Sequence, residues 1–254
     1  TTGYDEPEIS SITGPGASSA DTSGNQIVEI HGSNFGPPST CDDISGPCFL
    51  EKVTYGITGT EYVAKDCYVI SHERIQCLTV PGVGTKNIWL VRVAGQSNDI
   101  SMSPVTDYAV PTCWAILEVV DSNQVIANSD VLTPNPWRTD PNSADRIEIR
   151  CEHTGLADSL ESTRYIRYSV GGYERHIDLD LSSTRRIGSP GTSGTYEQIQ
   201  FVRPPLEWTN SPSAAVPVTL VLTTASGEIL ETTSLRHTYG APEITTVPIV
   251  TAGI

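Results

Sequence analysis

Gln26-Ile-Val-Glu-Ile-His-Gly-Ser-Asn-Phe-Gly36 joins an alternating run to a glycine-bounded reversal. Residues 26–31 carry the period-2 pattern of a half-buried strand. Gly32 and Gly36 then permit a tight turn, and Phe35 is placed to fold back and plug the end of a sandwich. A strand closed by its own aromatic plug implies a β-sheet packed on a second sheet.

The rest of the chain keeps that grammar. Short alternating or β-branched runs are punctuated by Gly, Pro, Asn and Ser, and helical periodicity is nearly absent. Strands are expected at 8–12, 51–55, 62–64, 67–70, 74–78, 87–93 and 105–109 in the first half. In the second half they are expected at 113–120, 146–151, 164–170, 173–181, 197–202, 218–224 and 229–235. Gly171-Gly172 and Ser226-Gly227 read as hairpin turns. Prolines 134, 136, 141, 204, 205, 212 and 217 cluster between strands or at their ends, where a missing amide donor does least harm. The fold class is all-β, as two tandem immunoglobulin-like sandwiches with one strand left over.

A repeated phrase sets the boundaries. Tyr4-Asp-Glu-Pro7-Glu-Ile-Ser-Ser-Ile12 returns as Tyr239-Gly-Ala-Pro242-Glu-Ile-Thr-Thr-Val247, with a fainter copy at Tyr108-Ala-Val-Pro111. This gives a first domain over 1–109, a second over 110–240 and a C-terminal strand over 241–254. That strand carries Ile244, Val247, Ile249, Val250 and Ile254 without a domain of its own to cover them. It is frayed, cut from a longer protein, or paired with another molecule. The Thr-Thr start is what removal of a leader would leave.

Charge narrows the partners. Thirty acidic against 15 basic residues give a formal charge of −15, which repels phosphate backbones and anionic lipid. No apolar run approaches the roughly 20 residues of a membrane helix. Six cysteines fall as local pairs: Cys41 with Cys48, Cys67 with Cys77, Cys113 with Cys151. None forms a C-x-x-C knuckle, so disulfides and an extracellular or cell-surface location are expected. No Asn-x-Ser/Thr sequon occurs. The Ser/Thr-rich loop at Ser18-Ser19 and Thr22-Ser23 is a candidate for O-linked glycan.

Residues 5 to about 109 resemble an IPT/TIG domain. The resemblance rests on Pro7-x-Ile9-x-x-Ile12, the 26–36 stretch, Cys67 with Ile75-Gln-Cys77, and Val80-Pro-Gly-Val-Gly84, in that order. It covers about two fifths of the chain and implies an immunoglobulin-like sandwich, of the kind found in tandem in extracellular proteins. The phrasing of 67–97 also resembles tandem repeats in large surface proteins of algae and other protists. The second half keeps the Tyr-x-x-Pro opening but lacks the Gly-x-x-Phe-Gly turn and the Val-Pro-Gly segment.

Catalytic signatures are missing from the sequence. The five histidines (31, 72, 153, 176, 237) lack metal-ligand spacing, and Ser33 is not in a nucleophile elbow. No enzyme activity, metal or cofactor is expected. Glu174, His176, Asp178 and Asp180 alternate onto one strand face, which reads as a solvated face before it reads as a Ca²⁺ site. Asp42-Asp43 reads as an exposed loop closed by Cys41 and Cys48. Trp89 and Trp114 lie in apolar strands and read as core. Trp137 and Trp208 lie in proline-rich loops and are candidates for a ligand or interface contact.

The leftover strand favours a structural protomer that self-assembles head-to-tail into a filament or surface coat. Its C-terminal strand would complete a sheet of the next subunit. Burying about four aliphatic side chains at roughly 1.5–3 kcal/mol each is ample for such a contact. The alternative is a ligand- or glycan-binding module of a receptor or adhesin ectodomain. An accessory domain of a polysaccharide-processing enzyme is a third context for such sandwiches.

Overall fold

The computed structural model describes residues 5–39, 48–120, 124–126, 146–155, 163–170, 173–179, 184–188, 195–202, 215–224, 227–232 and 235–238. Among them the chain is all-β, with one 3-10 turn at Ile100–Met102.

The first sandwich contains β1 (Glu8–Thr13), β2 (Ile27–Ser33), β3 (Leu50–Gly56), β4 (Tyr62–Val63), β5 (Lys65–Ser71), β6 (Arg74–Leu78), β7 (Asn87–Val93), β8 (Gln96–Ser97) and β9 (Val105–Thr106). One sheet has the order β1-β2-β6-β5 and the other β4-β3-β7-β8, with β9 also on β7. The second sandwich contains β10 (Thr112–Val120), β11 (Gln124–Ile126), β12 (Arg146–Glu152), β13 (Thr163–Val170), β14 (Tyr173–Asp178), β15 (Thr184–Ile187), β16 (Tyr196–Val202), β17 (Ala215–Thr223), β18 (Ile229–Glu231) and β19 (Leu235–Thr238). Its sheets run β11-β10-β12-β16-β15 and β14-β13-β17-β18, with β19 on β17. Apart from the added β11, the two halves share one strand order, which is the immunoglobulin-like arrangement.

Alternation builds both cores. Val28 and Ile30 of β2 face Val53 and Tyr55 of β3 and Trp89 and Val91 of β7, all at or near zero exposure. Trp89 is core, as its strand predicts, and stacks on Tyr55 at 4.3 Å between centroids. Phe35 is fully buried in the same cluster and plugs the sandwich end. The two glycines beside it work differently from a simple turn. Gly36 takes a φ of +87° and Asn34 one of +63°, and together they make the reversal. Gly32 sits inside β2, where an added Cβ would strike the Glu8 carbonyl oxygen and the Phe35 ring. It is needed for close approach, not for bending. In the second sandwich Ile147 and Ile149 of β12, Ile199 of β16, Ile166 of β13 and Leu220 and Leu222 of β17 form the corresponding core.

Two disulfides staple neighbouring strands within a sheet rather than bridging the two layers. Cys67–Cys77 joins β5 to β6, and Cys113–Cys151 joins β10 to β12 at a directly paired position. Cys48 is also disulfide-bonded, and its expected partner Cys41 lies outside the described residues.

Two local expectations are corrected. Pro217 lies inside β17, not at a strand end, and opposes Arg236 of β19. The β13 partner ends one residue later, at Tyr168↔Val218, so the missing amide costs that ladder nothing. The 229–235 run is two strands, β18 and β19. The last strand of the first sandwich comes as two short pieces, β8 and β9, and the strand expected at 105–109 is the second of them. There the Asn98 side chain stands in for the missing backbone: its Oδ1 accepts from the Val91 amide at 2.7 Å and its Nδ2 donates to the Trp89 carbonyl at 3.2 Å.

Candidate functional site

Strand direction fixes what each end of the two sandwiches presents. In the first, Glu8↔Ser33, His31↔Arg74 and Leu50↔Val93 mark one pole, where the chain comes in. Asn87↔Thr106 and Ile27↔Leu78 mark the opposite pole, where it leaves for β10. In the second sandwich, Thr112↔Glu152 and Thr223↔Ile229 lie at the pole where the chain arrives. Arg146↔Val202 and Ala215↔Thr238 lie at the far pole, where β19 ends. The two sandwiches are therefore threaded in series.

The join between them is built from the Val80–Gly84 segment. The Val80 amide donates to the Tyr55 hydroxyl at 2.9 Å and the Tyr108 hydroxyl donates to the Val80 carbonyl at 2.6 Å. The two hydroxyls are 2.6 Å apart, which closes the ring when Tyr55 donates to Tyr108. The Tyr62 hydroxyl donates to the Val83 carbonyl at 2.8 Å. A Cβ on Gly82 would overlap the Tyr108 ring, so only glycine passes there. Held this way, Val83 inserts its side chain into the core cluster of the second sandwich. Beside it the Thr85 amide donates to the Glu228 carboxylate at 3.0 Å, and the Thr85 hydroxyl also donates to it.

Burial shapes the ionisation of this region. It pushes the Tyr55 phenol up to about 12, against lowering by its hydrogen bonds to Tyr108 and Val80. Burial also raises Tyr108, helped by the charge and hydrogen bond of Tyr55, and raises Tyr62. Asp21 is pushed up by burial, but hydrogen bonds from Ser23 and the charges of His153 and Arg186 hold it below the usual carboxylate range. Both of those side chains belong to the second sandwich, so the join has an electrostatic component.

At the incoming pole of the first sandwich lies a groove of about 420 Å³. Pro37, Pro38, Phe49, Val93 and Ala94 supply apolar lining, and Asp5, Asn34, His72 and Gln96 contribute polar groups. Phe49 is 42% exposed although it precedes a core strand. The residues come from the segment before β1, the β2–β3 connection, the β5–β6 turn and the β7–β8 turn. The loops at one end of the sandwich thus converge on a single apolar concavity.

A second exposed feature lies on the outer face of β10, β12 and β16. Trp114 is 40% exposed, so it is not core. The reason is a bulge between Cys113 and Ala115: the extra residue shifts the period-2 pattern and turns the indole outward. Its ring meets Tyr196 edge-on at 5.6 Å, and the Arg150 guanidinium lies 5.6 Å from the Tyr196 centroid.

The acidic strand face is solvated. Glu174, His176 and Asp178 are exposed along β14, His176 stacks on Tyr165 at 4.2 Å, and Arg167 lies 3.9 Å from Glu174. Asp180, Trp137, Trp208, Asp42, Asp43 and the assembly residues Ile244, Val247, Ile249, Val250 and Ile254 lie outside the described residues. Sequence reasoning missed the groove, the Val83 insertion and the Thr85–Glu228 clamp. Only Phe49, an aromatic beside Cys48 and two residues before a charged pair, carried any local hint.

No family model matches this chain, and no curated protein matches it. Solved structures that resemble it include SGBP-B from a complex xyloglucan utilization locus in Bacteroides uniformis, at 13% identity and a TM-score of 0.29. The alignment covers 93% of this chain and 50% of that one. The gamma-CGTase of alkalophilic Bacillus clarkii aligns at 11% identity and 0.30, over 93% of this chain and 26% of the enzyme. Dimeric latent PorU of Porphyromonas gingivalis aligns at 10% and 0.29, over 94% and 20%. The chain spans half or less of the length of each. At such scores the reading of function rests on this chain's own residues.

Proposed function

We propose that this chain is an extracellular, non-enzymatic structural protomer that joins copies of itself head-to-tail. The C-terminal strand, residues 241–254, would complete a sheet in the first sandwich of the next copy. The observation that carries this reading is the serial threading. The chain enters the first sandwich at one pole and finishes β19 at the far pole of the second. Thr238 therefore lies at the pole of the second sandwich that faces away from the first sandwich's incoming pole. A donor at one end and an acceptor at the other is the heterologous geometry that propagates.

The two intra-sheet disulfides support an oxidising compartment. The shared strand order of the two halves supports the IPT/TIG resemblance of the first and extends its architecture to the second. Ser18 and Ser19 are exposed and remain candidates for O-linked glycan, whereas Thr22 and Ser23 of the same loop are buried and do not. The exposed Trp114, beside half-buried Tyr196 and Arg150, supports the second reading, a ligand- or glycan-binding module, because an aromatic face and a fixed guanidinium suit a planar or sugar ligand.

Negative-stain microscopy and sedimentation of the whole chain, beside a variant ending at residue 240, separate these. Regular fibres from the whole chain and monomers from the shortened one are expected. Monomers from both, with glycan binding lost on Trp114→Ala, would leave the module reading in place of the protomer.

A further inference from the structure

We infer that the apolar groove at the incoming pole of the first sandwich is the seat for the C-terminal segment of a second copy of this chain. This rests on the head-to-tail reading above, and moves its acceptor from a sheet edge to the loop-lined groove at the pole of the same sandwich.

The groove and the segment match in size, chemistry and position. A cavity of about 150 Å³ holds one benzene-sized group, so about 420 Å³ takes two or three aliphatic side chains. The segment offers Val247, Ile249 and Val250 close together in sequence, with Ile244 and Ile254 at either side. Its only charged side chain between residues 241 and 254 is Glu243. It therefore enters an apolar groove without the repulsion that other parts of a chain carrying −15 would meet. The prolines at 37 and 38 have no amide to leave unsatisfied when water is displaced. His72 at the groove is of the type that pairs with an extended backbone.

Reach and direction agree as well. β19 ends at Thr238 on the far pole of the second sandwich, while the groove lies on the opposite pole of the first. Fully extended, residues 243–254 span about 40 Å, enough to cross from one molecule into the next. Phe49, 42% exposed, is the side chain such a segment would cover.

The test places a photo-crosslinking benzoylphenylalanine at position 49 of the whole chain. Isotope-labelled and unlabelled copies are mixed in equal amounts before irradiation. Mixed-label products joining position 49 to residues 244–254 are expected. In parallel, Phe49→Glu should raise the concentration for half-assembly about tenfold or more. A circular-dichroism spectrum checks that this exposed substitution leaves the fold intact, and if it does not, the cross-linking decides alone. Cross-links confined to one label, or mapping to another surface while fibres persist, overturn the groove assignment and leave the head-to-tail reading standing. Failure of the unsubstituted chain to assemble overturns both.

Discussion

Glu228 accepts two hydrogen bonds from Thr85, a residue 143 positions earlier in the chain. One comes from the backbone amide and one from the hydroxyl, so a single carboxylate grips both the main chain and the side chain of the other sandwich. The Glu228 backbone is itself fixed in the β17–β18 hairpin, where its amide donates to the Thr224 hydroxyl at 3.0 Å and its carbonyl accepts from the Thr224 amide at 2.9 Å. Gly227, with a φ of +86°, makes that hairpin possible.

Removing this grip should loosen the join without unfolding either sandwich. Glu228→Ala is expected to cost about 1.5–3 kcal/mol, the usual worth of hydrogen bonds to a charged acceptor. Denaturant unfolding measures the loss, and small-angle scattering should report a broader distribution of sandwich orientations. A double-mutant cycle with Thr85→Val should show coupling, since the two side chains share one contact.

The tyrosine ring around Val80 predicts an alkaline limit to stability. A phenol is neutral when protonated, and burial favours the neutral form, so the folded pKa of Tyr55 stands at about 12 against an ordinary 10.0. The folded state binds that proton more tightly than the unfolded one. The resulting stabilisation is complete below about pH 10 and is lost as pH rises from about 10 to about 12. Tyr108, raised as well, extends the loss further. Urea midpoints should be flat from about pH 7 to 9 and fall steeply above about 10. Tyr108→Phe should lower the neutral-pH stability by about 1–3 kcal/mol by orphaning the Val80 carbonyl.

Gly32→Ala should break the β1–β2 pairing. A Cβ there would run into the Glu8 carbonyl oxygen, far inside contact distance and against backbone that cannot swing aside. A loss of at least about 2 kcal/mol is expected, of the size seen when a core is overpacked. Gly95→Ala is the control: nothing lies near its Cβ, so the cost comes only from its φ of +83°. Thermal unfolding of the two variants compares them directly.

The two described disulfides should differ in worth. Cys67–Cys77 closes a separation of 10 residues and Cys113–Cys151 one of 38. Loop-closure entropy gives about 2.5–3 kcal/mol for the shorter and about 4 for the longer. Paired Cys→Ala variants, unfolded in denaturant, should show the second pair to be the more costly by about 1 kcal/mol.

The strands most legible in the sequence were those where packing alone dictates the residues. Asn87–Val93 alternates because β7 lies between neighbours, with Trp89, Val91 and Val93 turned inward. Thr184–Ile187 was missed because Arg185 and Arg186 mask a four-residue edge strand that needs few apolar side chains. Trp114 was misplaced because a bulge leaves no trace in composition, yet one extra residue reverses the facing of a side chain. Val83 was noticed only as part of a local phrase. Its burial in the other sandwich depends on a contact across the join, and no pattern within either half encodes that. The groove was hidden for the same reason: its lining comes from four separated segments.

Asn98 has a bearing on how this molecule behaves in a crowd. An amide side chain occupying the gap between β8 and β9 denies that flank to any foreign strand, and neither of those two-residue ladders is long enough to template one. Sideways sticking, the route to tangled aggregates, is blocked there by chemistry rather than by bulk. In the head-to-tail assembly proposed above, growth would be steered toward the tips, favouring slender threads over thickened mats.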